Sequence, residues 1–159
     1  MQNPVRLEHG TEADAAADDM NALSTAEFIK KVVGEYLPNE ITLTYFGGEP
    51  LANIGAIETL HNLLKEALPA KTQLNQMAIT NGVLVPRYID RLCQIGISTL
   101  QITLDGPRQI HDARRVGTGG AGTFDKVVAG ISAALDAGIF VAIHTVIDSH
   151  NAPYIRELA

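Results

Sequence analysis

Four short clusters in this chain have residue types and spacing that could do chemistry. The first is Gly47-Gly48-Glu49-Pro50. Two adjacent glycines permit positive φ and let a ligand approach the main chain closely. Exposed carbonyls there, with the Glu49 carboxylate, form an acceptor-rich pocket suited to an ammonium group. The same residues also suit a tight turn in which Glu49 caps the next helix or faces solvent. The second cluster, Thr80-Asn81-Gly82, offers a hydroxyl and an amide for a carboxylate or ribose hydroxyls, or an Asn-Gly turn held by an Asx hydrogen bond. In the third, Thr103 and Asp105 flank a strand end in the same way, and Asp105 also suits bracing the Asp105-Gly106-Pro107 turn. The fourth is His111, Asp112, Arg114 and Arg115. An arginine here could grip a carboxylate with two parallel bonds, or form surface ion pairs of little worth. His111 and Asp112 also suggest a general base or metal ligand, but no second His-rich motif converges on them.

These clusters need a scaffold, and the hydrophobic pattern supplies one. Ser24-Thr25-Ala26-Glu27 fits a capping box. Apolar pairs at Phe28/Ile29, Val32/Val33 and Tyr36/Leu37 then predict a helix ending at Pro38-Asn39. Ile41–Phe46 reads as a strand rich in β-branched and aromatic residues, and it runs directly into Gly47-Gly48-Glu49-Pro50. A helix follows over about 53–68, with Ile57, Leu60, Leu64 and Leu68 as its stripe. A strand over 74–80 ends in Thr80-Asn81-Gly82. Pro86 opens another helix, in which Ile89, Leu92 and Cys93 face inward. A third strand, 99–104, runs into Asp105-Gly106-Pro107. Residues 108–122 read as a long polar connection whose glycine-rich end, Gly117–Gly122, lacks the Lys-Ser/Thr ending of a P-loop and suits a hinge. A helix over 123–137 leads to a nearly continuous apolar strand, 139–147. Within that strand His144 is a core histidine or an inward-facing pocket residue. Asn151 could cap a last helix with Pro153 in its first turn. Alternating strands and helices imply parallel pairing through right-handed crossovers, hence an α/β fold. The clusters then meet at the C-terminal edge of the sheet, where such folds bind ligands.

Composition narrows the function classes. The 159 residues suffice for one domain with a sizeable core, at 46% hydrophobic and 19% charged. A net charge of −6 with scattered basic residues argues against nucleic acid. No apolar run is long enough to span a membrane, and the first residues carry no secretory h-region. Residues 1–20 are acidic and alanine-rich, and are expected to be a disordered N-terminal segment preceding a domain over 21–159. The lone Cys93 excludes an internal disulfide and fits a reducing, cytoplasmic setting.

Taken together, Thr44–Leu51 (TYFGGEPL), Ile79–Gly82 (ITNG), Leu100–Arg115 (LQITLDGPRQIHDARR) and Ile147–Asn151 (IDSHN) carry a family resemblance. Over about residues 20–159 the chain resembles the radical S-adenosylmethionine superfamily, in particular its anaerobic sulfatase-maturase and SPASM-type peptide-modifying branch. The resemblance implies an incomplete (β/α)6 barrel, TIM-like and open at one side for a peptide or protein substrate. It implies that Gly47, Gly48, Glu49 and Pro50 bind the methionyl ammonium of S-adenosylmethionine. Thr80 and Asn81 would lie near its methionine or ribose, with Thr103 approaching the cofactor and Asp105 closing that strand end. Arg115 would meet the cofactor carboxylate, with Arg114 as the neighbouring alternative, and His144 would lie along the adenosine side. The implied chemistry is reductive cleavage of S-adenosylmethionine at a 4Fe–4S cluster. The resulting 5′-deoxyadenosyl radical takes hydrogen from the substrate, with a flavodoxin or ferredoxin as electron donor.

One departure qualifies this. The family holds its cluster with CxxxCxxC just before the first helix, and residues 1–23 contain no cysteine. Cys93, in a later helix, cannot substitute. The expectation is a truncated member not competent for the chemistry as it stands. A degenerate, cluster-less domain that binds a ligand or a protein is the alternative. A third reading is an unrelated barrel enzyme with Glu49, Asp105 and His111 as acid–base groups.

Overall fold

The computed structural model describes the main chain of residues 12–158 and the side chains of residues 20–158. Among the described residues an initial helix is followed by four strands and four further helices. They are α1 (Glu12–Tyr36), β1 (Glu40–Tyr45), α2 (Ile54–Ala67), β2 (Gln73–Thr80), α3 (Val85–Gln94), β3 (Ile97–Thr103), α4 (Arg108–Arg114), α5 (Phe124–Asp136) and β4 (Phe140–His144). Short 3₁₀ turns at Pro50–Asn53 and Ala152–Leu158 complete the described chain. No described helix is long and apolar enough to cross a membrane.

All three strand pairs are parallel, and the order is β1-β2-β3-β4. Sequential order with crossovers of one hand puts every helix on the same side of the sheet. That is an arc of a (β/α) barrel, as expected, and not a doubly wound sheet. The helix side carries the core: Leu51, Ile57, Ala78, Leu92, Leu100, Ile102 and Val127 are all buried. One polar side chain in this layer, Gln76, is 2% exposed. Its carboxamide accepts the Tyr45 hydroxyl at 2.7 Å and donates to the Ile95 carbonyl. Burial pushes the Tyr45 phenol up to about 12.

Among the described residues no helix covers the other side of the sheet. Register places Thr42 beside Asn75, Thr44 beside Met77, Met77 beside Thr99, Ile79 beside Gln101, and Gln101 beside Ala142. Closed barrels fill this interior with layers of branched aliphatics. Here hydroxyls and amides predominate, and Thr42 and Thr44 are exposed.

Several expectations are corrected. The first helix begins at Glu12, upstream of Ser24, so residues 12–20 are helical; residues 1–11 lie outside the described residues. Ala, Glu and Met are strong helix formers, and the helix is anchored where Ala22, Ala26 and Val33 are buried, the first two against Leu60 and Leu64 of α2. Ser24 therefore caps nothing, and its Oγ donates to the Asn21 carbonyl within the helix. The polar connection after residue 107 contains α4, a helix started by Pro107. Its glycine-rich end is a closed loop, with Val116 bridged to Gly122, where a hinge was expected. Cys93, expected to pack inward, is exposed. The strand expected over 139–147 pairs only over Phe140–His144, and the final helix is a 3₁₀ turn.

Candidate functional site

The C-terminal ends of the strands enclose a cleft of about 180 Å³ lined by Phe46, Gly47, Gly48, Ile79, Thr80, Asn81, Thr103, Arg115 and His144. Seven of these are residues that the sequence singles out. Glu49, Pro50 and Asp105 are not among the lining; they shape it from behind.

Gly47 and Gly48 leave β1 with φ of 114° and 52°, and no atom lies within 4 Å of where either Cβ would be. A ligand can therefore reach this main chain from the open side. Among the described residues no hydrogen bond uses the Gly47 or Gly48 carbonyl. The Glu49 carboxylate turns the other way. It accepts the Thr80 hydroxyl at 2.7 Å, the Asn81 amide N–H at 2.8 Å and the Leu51 amide N–H at 3.0 Å. It thus caps the turn at Pro50 and ties the end of β1 to the end of β2. Asn81 adds its own Asx bond, accepting the Val83 N–H at 2.9 Å. Behind this turn, α5 comes close enough that a Cβ on Gly130 would meet the Gly82 carbonyl oxygen at 2.1 Å.

Asp105 is 1% exposed. Its carboxylate accepts Arg115 Nε at 2.7 Å and the Val146 N–H at 3.1 Å, with Arg114 Nε 3.5 Å away. Burial alone would raise this carboxyl. The Arg115 and Val146 hydrogen bonds and the two guanidinium charges outweigh burial and hold it below the usual range. The two arginines part here. Arg114 reaches over the exit of β4, donating to Asp148 at 2.7 Å and to the Val146 carbonyl at 3.5 Å. Arg115 lines the cleft, with Nε on Asp105. Among the described residues its two terminal nitrogens make no hydrogen bond.

His111, raised in the sequence as a general base, is fully buried and far from reach of a substrate. Burial lowers its pKa first, the Arg115 charge pushes the same way, and Asp105 and Asp112 oppose them incompletely. Asp112 accepts the Phe124 N–H at 2.8 Å and so caps α5. His144 proves exposed at the cleft and is not a core histidine. Thr145 beside it donates to the Leu104 carbonyl at 2.7 Å. Sequence reasoning missed two residues. Phe46, 77% exposed, and Ile79 supply apolar wall to the cleft; period-two alternation from Thr42 and Thr44 puts Phe46 on the inner face. It also left Asn151 as a helix cap, whereas this fully buried amide pins the β4 exit to Asp105.

The residues present fit the amino-acid end of S-adenosylmethionine: open carbonyls at Gly47 and Gly48 for an ammonium, and Arg115 for a carboxylate. They do not fit an iron–sulfur cluster. Among the described residues no three His, Cys, Asp or Glu side chains converge to hold a metal. Cys93 sits near the end of α3 that leads into the start of β3, at the opposite edge of the sheet.

Comparison with known proteins agrees with this architecture. A model of the radical SAM superfamily matches residues 15–159. The GTP 3′,8-cyclase of Petrotoga mobilis is 36% identical over 104 residues, covering 64% of this chain and 29% of that protein. The GTP 3′,8-cyclase 1 of Pseudomonas aeruginosa is 34% identical over 131 residues, covering 77% and 37%. The curated relatives are thus matched over 29–40% of their length. Among solved structures, native anSMEcpe with bound AdoMet and Kp18Cys peptide superposes with a TM-score of 0.71 at 23% identity, over 84% of this chain and 39% of that one. That likeness shows the fold, a partial (β/α) barrel. Members of the superfamily use S-adenosylmethionine and a 4Fe–4S cluster. On the family match across its strands, helices and cleft motifs, this chain belongs to the radical SAM superfamily.

Proposed function

We propose that this chain is the cofactor- and substrate-facing part of a radical S-adenosylmethionine enzyme acting on a peptide or protein, in the manner of the sulfatase-maturase and SPASM-type branch. In the superfamily, S-adenosylmethionine together with a 4Fe–4S cluster would supply the hydrogen-abstracting chemistry, with a small electron-transfer protein as reductant; no set of described residues in this chain converges to hold such a cluster. The chain's own residues bind and orient. The Gly47 and Gly48 carbonyls take the cofactor ammonium, and Arg115 takes its carboxylate through a charge-assisted pair of bonds. Thr80, Asn81 and Thr103 face its methionine and ribose. Phe46, Ile79 and His144 line the adenosine side and keep water from it. Glu49 and Asp105 hold these groups in place without contacting the ligand.

The observation that carries the peptide reading is the uncovered inner face of the sheet. Its strand positions present Thr42, Thr44, Asn75, Thr99 and Gln101 together with the apolar Met77, Ile79 and Ala142, and none of them is Lys or Arg. Neutral donors and acceptors in that array match the amide groups of a polypeptide. A nucleoside triphosphate needs several convergent cations, and only Arg115 lines the cleft.

The similarity to GTP 3′,8-cyclases favours a second reading, in which the substrate is a purine nucleoside triphosphate. Titration separates the two. The isotope-labelled chain, saturated with S-adenosylmethionine, is mixed in parallel with short cysteine-containing peptides and with magnesium GTP. The peptide reading expects shifts at Thr44, Met77 and Gln101 with a peptide and none with GTP. The opposite pattern transfers the assignment to the nucleotide.

A further inference from the structure

His111 lies outside the cleft, fully buried, yet both ends of Arg115 depend on its ring. The Asp105 main-chain N–H can only donate, so at 3.2 Å it makes His111 Nδ1 the acceptor. The ring proton then sits on Nε2 and is donated to Thr123 Oγ1, 3.0 Å away. That hydroxyl passes its own hydrogen to the Arg115 carbonyl, also at 3.0 Å. The Arg115 N–H returns to the His111 carbonyl at 2.8 Å. On the side-chain arm, Asp105, anchored through its N–H on Nδ1, holds Arg115 Nε at 2.7 Å. Phe124 meets the imidazole edge-on at 6.0 Å and fixes the plane of the ring. Every proton in this circuit has one direction. A proton on Nδ1 would set two donors against each other in a buried place, which is costly.

We propose that His111 is a positioning residue for the ligand carboxylate. As a neutral, Nε2-protonated imidazole it fixes the main chain and the Nε of Arg115 together, which leaves the two terminal guanidinium nitrogens to the cleft. It touches no ligand atom. The proposal rests on the reading that Arg115 meets the carboxylate of S-adenosylmethionine. It adds the requirement that Arg115 works only when held at both ends by one buried ring.

The test measures selectivity. The full chain is titrated calorimetrically with S-adenosylmethionine and with its decarboxylated analogue, which differs only in the group that Arg115 would hold. Loss of an arginine–carboxylate contact lowers affinity roughly tenfold or more. Arg115→Leu is therefore expected to abolish the preference for S-adenosylmethionine by about that factor. His111→Phe and Thr123→Val are expected to abolish most of the same preference while leaving affinity for the analogue unchanged. His111→Gln, whose amide offers an acceptor and a donor, keeps it. Thr123→Val breaks the main-chain arm at nearly constant volume and stands in should His111→Phe not fold. If Arg115→Leu removes the preference and both His111→Phe and Thr123→Val retain it, His111 has no positioning role. An equal loss of both affinities in those two variants makes the ring a packing element and overturns the proposal too. Preference unchanged in Arg115→Leu refutes the carboxylate role of Arg115, and the premise falls with it.

Discussion

The carboxylate of Glu49, at the end of β1, accepts the main-chain N–H of Asn81, at the end of β2, at 2.8 Å. The other oxygen takes the Thr80 hydroxyl and the Leu51 N–H. The acidic residue of the Gly-Gly-Glu-Pro turn therefore faces the protein. It ties two adjacent strand ends into one rim, while Gly47 and Gly48 line the cleft. On the proposed reading, an ammonium ligand at this site would be met by main chain, with the Glu49 charge behind it.

Replacing Glu49 with Ala strands the Asn81 N–H and the Thr80 hydroxyl at a partly buried place. The expected loss is about 2 kcal/mol of unfolding free energy, the range for hydrogen bonds to a charged group. Glu49→Gln keeps one acceptor oxygen and is expected to lose less. Urea denaturation of both variants checks this, and equal stability of Glu49→Ala and wild type would remove the bracing role.

Gly130 tests how tightly the Thr80-Asn81-Gly82 turn is held from below. A Cβ there would fall 2.1 Å from the Gly82 carbonyl oxygen, which is main chain and cannot swing aside. Elsewhere in a helix, Gly→Ala stabilises by about 1 kcal/mol. Here Gly130→Ala is expected to destabilise by about 1–3 kcal/mol, as overpacking does, and to weaken S-adenosylmethionine binding by shifting Asn81. A stabilised variant would show that the contact relaxes freely.

The β–α rhythm was legible because each strand is a short apolar run closed by Gly, Pro, Asn or Asp, and each later helix carries a stripe such as Ile57, Leu60 and Leu64. The cleft was legible because its residues cluster at those closures. What was not legible has particular causes. Residues 12–20 have acidic composition like a solvated tail, and only tertiary packing of Ala22 and Ala26 on α2 shows that the helix extends through them. The seven residues of α4 are too few for a periodic signal. Cys93 follows Leu92 in an apolar stretch, and only the angle at which α3 sits puts one inside and the other out. Sequence order also cannot tell which of two adjacent arginines faces a ligand. Asp148 and Asp105 decide it, taking Arg114 over the β4 exit and Arg115 to the cleft.

The His111 circuit carries a pH dependence whose sign can be worked out. Burial first, then the Arg115 charge, depress the folded-state pKa below the ordinary 6.5. The unfolded chain therefore binds more protons than the folded one as pH falls past that value. The stability contribution is full above pH 6.5 and is lost as pH falls toward the lower folded-state value. Asp105, also depressed, adds a second loss only below the ordinary carboxylate value of 3.8. Thermal midpoints measured from pH 8 downward are expected to be flat and then to fall below about 6.5, and His111→Gln is expected to remove that first fall. A first fall of the same size in His111→Gln would assign it to another group.

Asn151 offers the sharpest single-atom test of the β4 exit. Its amide is fully buried, with Nδ2 donating to the Asp105 carbonyl at 2.9 Å and the Val146 carbonyl at 2.8 Å, while Oδ1 accepts the Asp148 N–H at 2.8 Å. Asn151→Ala removes these bonds and leaves main-chain groups unpaired, at a cost of about 1–3 kcal/mol. Asn151→Asp has the same shape but replaces the donor with an oxygen. That oxygen faces two carbonyls, on a side chain buried beside Asp105. It is expected to cost more than Asn151→Ala at neutral pH, because an ionised group is then buried with one oxygen set against two carbonyls. Acidification protonates the new carboxyl and restores a donor, so the gap between the two variants narrows as pH is lowered toward 5. Chemical denaturation at the two pH values reads this directly. A variant Asn151→Asp more stable than Asn151→Ala at neutral pH would mean that Nδ2 is not the atom that holds the exit of β4 to β3.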